Sequence, residues 1–112
     1  METSNKNSLL KQCLSQPADL VEYNSDSIVS KTIIDKPVGT VTLFAFDAGQ
    51  KLSTHQTPYD ALVQVLDGTA QIVIDDQTHN LTAGQCIIMP ANIPHAVIAQ
   101  KKFKMQLTMI RQ

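Results

Sequence analysis

The sequence predicts an all-β domain whose strands roll into a sandwich or barrel, and three observations carry that expectation. From Ser27 onward, Val, Ile, Thr and Phe dominate the short runs. Turn residues break those runs repeatedly, at Pro37-Val38-Gly39, Asp47-Ala48-Gly49, Asp67-Gly68, Asp75-Asp76 and Ala83-Gly84. No segment after Tyr23 carries the apolar spacing of a helix. Regular short strands with turn signals between them are the pattern of closed or doubled β-sheets.

The turn signals place strands over residues 27–36, 39–46, 50–56, 60–67, 69–75, 78–82, 85–89, 94–100 and 102–110. In the last of these, Phe103, Met105, Leu107 and Met109 alternate with Lys104, Gln106 and Thr108, so one face is apolar and one polar. Other runs are apolar on both faces. Ile72-Val73-Ile74 and Ile87-Ile88-Met89 are examples, and Leu62 and Leu66 oppose Ala61, Val63 and Val65. Such strands need cover on both sides. The barrel interior supplies one side, and symmetric association with a second copy is the ordinary source of the other, so a homodimer is expected.

The first two dozen residues have a different texture. Asn5, Asn7, Ser8, Gln12, Ser15 and Gln16 surround only Leu9, Leu10 and Leu14. Residues 1–24 read as an N-terminal arm, with a helical turn ending before Pro17 and a short extended piece over 20–23. Residues 25–112 read as the barrel.

A chain of 112 residues suits one domain. Its 43% hydrophobic content supports a core, and its 17% charged content is too low for a disordered chain. The net charge of −1 offers no broad positive surface to offset phosphate, so no nucleic-acid partner is expected. Lys101, Lys102 and Lys104 read as solvated edge decoration. The polar stretch from Met1 to Pro17 reads as neither a secretory signal nor a membrane anchor. Two cysteines make no disulfide framework, with Cys86 expected buried and Cys13 incidental. A cytoplasmic location without membrane contact follows as the expectation.

Two segments carry the candidate chemistry. In the first, Gly49 is followed by five residues and His55, with Thr57 two positions on, then Ala61 and the run Val65-Leu66-Asp67-Gly68. In the second, Gly84 is followed by five residues, Pro90-Ala91-Asn92-Ile93-Pro94, His95 and Ala99. The pair resembles the two motifs of the cupin superfamily over most of residues 40–110. The resemblance implies a double-stranded β-helix, or jelly-roll barrel. Metal-binding cupins hold one divalent ion with three histidines and a glutamate. Here His55 and His95 stand at two of those positions, Thr57 at a third and Ala61 at the glutamate. The motif glycine after proline is Asn92, and the final asparagine is Ala99.

Two imidazoles fall short of the three or four protein ligands of ordinary zinc sites and of the two-histidine, one-carboxylate iron triad. Strand alternation turns Asp60 away if Ala61 points inward, and a bulge after Pro58 would reverse that and make Asp60 a third ligand. The resemblance thus leaves one divalent ion (iron, manganese, nickel or zinc) as a possible cofactor at His55 and His95. Burial would favour neutral imidazoles able to grip a small organic ligand. The expected pocket comprises His55, Thr57, Ala61, Val63, His95, Phe103 and Met105, with Tyr59 and Asp60 near its mouth. His79, beside the Asp75-Asp76 turn, reads as a solvated surface residue. Four functions compete, in this order: a small-molecule binding module; a metal-dependent cupin enzyme such as a dioxygenase or isomerase; a metal-free acid–base enzyme; and a packed interaction protein.

Overall fold

The structure, a computed structural model, describes residues 10–112. It contains nine strands: β1 (Ile28–Lys36), β2 (Gly39–Phe46), β3 (Lys51–His55), β4 (Ala61–Asp67), β5 (Thr69–Ile74), β6 (Gln77–Thr82), β7 (Cys86–Met89), β8 (His95–Ile98) and β9 (Phe103–Ile110). All strand pairings are antiparallel. One sheet runs β1-β2-β9-β4-β7 and the other β3-β8-β5-β6. Apart from the hairpins β1–β2 and β5–β6, each connection crosses from one sheet to the other, which is the jelly-roll arrangement expected from the sequence.

Inward-facing side chains from both sheets make one core. Phe46, Val63, Val65, Ile72, Val97, Phe103 and Met105 are each almost wholly buried. Phe46 and Phe103 stack at 4.6 Å between centroids. Burial of each such side chain contributes about 1.5–3 kcal/mol. β9 alternates as its sequence requires, with Phe103 and Met105 buried and Lys104, Gln106 and Thr108 on the opposite face. Gly68 lets the turn between β4 and β5 pass close to β9. Its φ is +76°, and a Cβ there would lie 2.5 Å from the Lys102 carbonyl oxygen.

Bulges set the phase of three strands. β1 carries one extra residue between Thr32 and Ile34, opposite β2. β3 carries one between Leu52 and His55, opposite β8. β4 carries one between Val65 and Asp67, opposite β9. Each extra residue shifts which side chains face inward beyond it.

The outer face of the five-stranded sheet is covered at one end by residues 17–23. A 3-10 turn, Pro17–Asp19, packs on β4 and β9. Val21 is buried with Leu43 and Ala45, flanked by Tyr23, Ile33 and Leu66. The turn begins at Pro17, because proline's fixed φ suits a first helical position. The turn expected before Pro17 falls partly outside the described residues, and the expected extended piece over 20–23 forms no strand.

Two lysines read as edge decoration hold this segment. The Lys102 and Lys104 ammonium groups lie 4.8 and 5.0 Å from the Tyr23 ring centroid. Lys104 Nζ also donates to the Ala18 carbonyl at 2.6 Å. Tyr23 donates its hydroxyl proton to Asp67 Oδ2 at 2.5 Å. Partial burial, then that hydrogen bond and the Asp67 charge, push the Tyr23 pKa well above the usual phenol value.

Cys86 is exposed, contrary to expectation. It opposes Gln64 on the outer face of edge strand β7, where Ile87 and Met89 take the inward positions. Cys13 is exposed as well. His79 is half-buried rather than solvated, since it opposes the buried Ile72 and shares its inward face. Among the described residues, no helix is long and apolar enough to cross a membrane.

Candidate functional site

The sequence places His55 at the end of β3 and His95 at the start of β8, forty residues apart, and sheet register makes them direct partners. Their ring centroids are 4.5 Å apart, with planes at 69°. The bulge in β3 produces this. Leu52 opposes Val97 on the inward face, and if the same five residues paired in regular register Thr54 would stand opposite His95. With it, His55 faces its partner.

The two rings differ in access. His95 is 4% exposed, between His55 on one side and Ile74 on the other. His55 lies on an edge strand and is exposed. The pair therefore marks a mouth of the barrel, with His55 outermost.

Both rings are oriented the same way. His55 Nδ1 lies 2.8 Å from the Ser53 carbonyl oxygen, inside the bulge itself. His95 Nδ1 lies 3.2 Å from the Ile93 carbonyl oxygen. A carbonyl oxygen only accepts, so each Nδ1 carries the proton and donates it. The neutral ring then has its lone pair at Nε2. Burial lowers the His95 pKa below the ordinary imidazole value. The Ile93 hydrogen bond opposes the shift, and the proximity of His55 adds to it.

The loops around the pair are locked to each other. Asn92 N–H donates to the Thr57 carbonyl at 2.7 Å. Ala91 N–H donates to Asp60 Oδ1 at 2.8 Å. Asp75 N–H donates to the Pro94 carbonyl at 2.8 Å. Asn92 has φ +64°, so the position where the motif has glycine keeps a left-handed conformation that asparagine tolerates. These bonds fix the segment leading into His95 against the segment following His55.

The remaining expected site residues divide. Thr57 is half-buried near the mouth, but its hydroxyl donates to the Tyr59 carbonyl at 3.1 Å and is turned to the backbone. Asp60 is exposed just before β4, its carboxylate held by Ala91 N–H. Ala61 and Val63 are buried inward positions of β4, opposite Met109 and Leu107 of β9. Met105 lies further along β9, opposite Val65, and Phe103 lies at the far end against Phe46. From Met109 to Phe103 is six residues, about 20 Å of strand, so Phe103 serves the core well away from the strand end that carries Ala61. Ile74, the other register neighbour of His95, was not among the expected site residues. Its place at the end of a run before Asp75-Asp76 is the only sequence signal for it.

The donor set does not fit a complete metal centre. Of the four motif positions, two hold imidazoles, one holds a threonine hydroxyl bonded to its own loop, and one holds an alanine. Among the described residues, no three His, Cys, Asp or Glu side chains converge.

A family model described as "Cupin domain" matches residues 42–111. Among solved structures, a conserved protein of unknown function from Streptococcus pyogenes is 35% identical with a TM-score of 0.86, over 90% of this chain and 89% of that one. A cupin 2 conserved barrel domain protein from Leptotrichia buccalis is 40% identical with a TM-score of 0.80, over 83% of this chain and 45% of the other. A cupin superfamily protein from Desulfitobacterium hafniense is 26% identical with a TM-score of 0.85, over 90% of this chain and 93% of that one. No curated protein matches the sequence. The paired glycine frames, the two histidines in register and the family match over residues 42–111 converge on one conclusion: this chain belongs to the cupin family.

Proposed function

We propose that the barrel binds a small organic molecule at the mouth marked by His55 and His95. The observation that carries this reading is the shared orientation of the two rings. Both spend their Nδ1 proton on a backbone carbonyl, so two Nε2 acceptors remain at one end of an apolar interior. A few fixed polar groups over an apolar wall are the usual makeup of a small-molecule site. The neutral pair suits a ligand that donates hydrogen bonds, such as a hydroxyl or amine. A protonated ring adds affinity for a carboxylate.

The same orientation supports a second reading. A histidine that donates Nδ1–H to a carbonyl is arranged as metal-bound histidines usually are, with Nε2 free for the ion. Iron, manganese, nickel or zinc at two imidazoles would need the rest of its shell from water or from a substrate. A metal-dependent enzyme would follow from that shell, and the missing third protein ligand ranks this reading second.

The test is a histidine-detected NMR titration of the full chain with glucose, glycerol, acetate and succinate, and separately with Zn2+ and Ni2+. Selective shifts of both imidazoles with an organic probe, lost in His55→Gln, support the first reading. Tight one-to-one saturation by metal, with no response to any organic probe, replaces it with the second. Silence from both rings towards every probe removes both.

A further inference from the structure

Three loops meet around the histidine pair and form one rim. Asn92 N–H and Ala91 N–H join the loop before β8 to the loop before β4, and Asp75 N–H joins the β5–β6 turn to Pro94. The rim spans residues 56–60, 75–76 and 90–94. It carries Asp60, Asp75 and Asp76, all exposed, and no lysine or arginine. Three negative charges therefore gather at one end of a chain whose net charge is only −1. None of the three carboxylates makes an ion pair among the described residues.

The bases on adjoining elements lie elsewhere. Lys101, Lys102 and Lys104 stand at the start of β9, the end away from Ala61, and Lys51 begins β3 while His55 ends it. Arg111 follows the strand end beside Asp60, but its guanidinium donates to the Lys36 carbonyl at 3.1 Å, on the β1–β2 hairpin. β2 flanks β9 on the side away from β4. His95 gives the rim a focus. Its side chain is 4% exposed and faces His55 at 4.5 Å, its Nδ1 proton goes to the Ile93 carbonyl, and its Nε2 has no partner among the described residues. A buried polar atom left without a partner is costly until something from outside meets it.

Resting on the reading that this mouth binds a small organic molecule, we infer that the ligand is a primary organic amine, taken as its ammonium ion. An ammonium has three N–H donors and no acceptor. The site answers with lone pairs on two Nε2 atoms and with the charge of three aspartates. Tyr59, half-buried on the same rim, adds an aromatic ring, whose face attracts cations. A carboxylate would meet three like charges here. A neutral alcohol uses the two ring acceptors but gains nothing from the aspartates. Each exposed carboxylate adds a factor of about two at low salt, so the three together favour an amine over the matching alcohol about tenfold.

Ethanolamine, ethylene glycol and glycolate share a two-carbon frame and differ in charge, so they test this. Each is titrated into the full chain at pH 8 and low salt with EDTA present, and the imidazole signals of His55 and His95 are followed by NMR. Ethanolamine should bind about tenfold more tightly than ethylene glycol, and glycolate most weakly. The advantage should vanish at about 1 M salt, where screening shortens to about 3 Å. Asp75→Asn/Asp76→Asn should remove most of it while leaving ethylene glycol binding unchanged. Asparagine tolerates the φ of +55° at position 75, so the turn is kept. Asp19→Asn, exposed on the Pro17–Asp19 turn, should change nothing. Equal affinity for ethanolamine and ethylene glycol, tighter binding of glycolate, or an ethanolamine preference that survives both high salt and the double variant overturns the inference while the binding reading stands. Silence of both rings towards all three probes removes that reading and the inference with it.

Discussion

His55 and His95 oppose each other across β3 and β8, one ring exposed and the other 4% exposed, each held by the carbonyl two residues before it. That asymmetry of access within one pair separates contributions to binding from contributions to folding.

Replacing His55 with alanine should change stability by less than about 0.5 kcal/mol, as for an exposed side chain, while abolishing the response to the organic probe. Phe103→Ala should do the reverse. It removes a fully buried ring stacked on Phe46 and should cost about 3–5 kcal/mol, leaving the imidazole contacts of surviving folded protein intact. Chemical denaturation alongside the NMR titration reads both.

The ring orientations predict a spectroscopic signature. At pH 8, two-bond 1H–15N spectra should show the Nδ1–H tautomer for His55 and His95, the less common form for free histidine. A dominant Nε2–H pattern at either residue would contradict the carbonyl contacts.

Acid should weaken the fold through His95. Burial lowers its pKa, so between that lowered value and the ordinary 6.5 the unfolded chain binds more protons than the folded one. The contribution is fully present above pH 6.5 and declines as pH falls towards the folded pKa. Urea midpoints from pH 8 to 5 should show this decline, and His95→Gln should flatten it. A separate loss belongs near and below pH 3.8. There the Asp47 carboxylate, held below its usual pKa by the Asp26 and Ala48 backbone N–H groups, becomes protonated.

Gly68→Ala should destabilise the chain by about 2 kcal/mol or more, combining a left-handed φ with a close approach to the Lys102 carbonyl. Gly84→Ala shares the positive φ but meets nothing within 4 Å, so its cost should be smaller. Paired thermal melts give the difference, which isolates the steric part.

Tyr23→Phe should cost about 1 kcal/mol, the usual worth of one hydrogen bond, and should loosen residues 17–23 without altering the barrel. Hydrogen exchange localises the effect. In the wild type, ultraviolet titration should show one of the two tyrosines ionising well above the ordinary phenol range.

The strands were legible because they depend on local signals, and the meeting of the two histidines was legible only through the resemblance to the paired family motifs. Glycine and aspartate mark the turns, and the motif spacing carries His55 and His95. Long-range register was not legible. Nothing in Lys51-Leu52-Ser53-Thr54-His55 announces that two residues will oppose one on β8. Cys86 looked buried because its neighbours are isoleucines, but the outer side of an edge strand has no cover. Phe103 has the right face for the pocket and the wrong end of the strand, a distinction that alternation alone cannot make.

The surplus residue in β3 makes the histidine pair depend on counting rather than on chemistry. Ser53 and Thr54 are exposed, so a substitution scan should find both positions permissive. Deleting either one would remove the bulge and leave Leu52 and His55 two positions apart, in regular alternation opposite Val97 and His95, so the two rings would still face each other. In this stretch, a lost codon should straighten the strand and spare the pair, whereas an added one should carry His55 out of step with its partner.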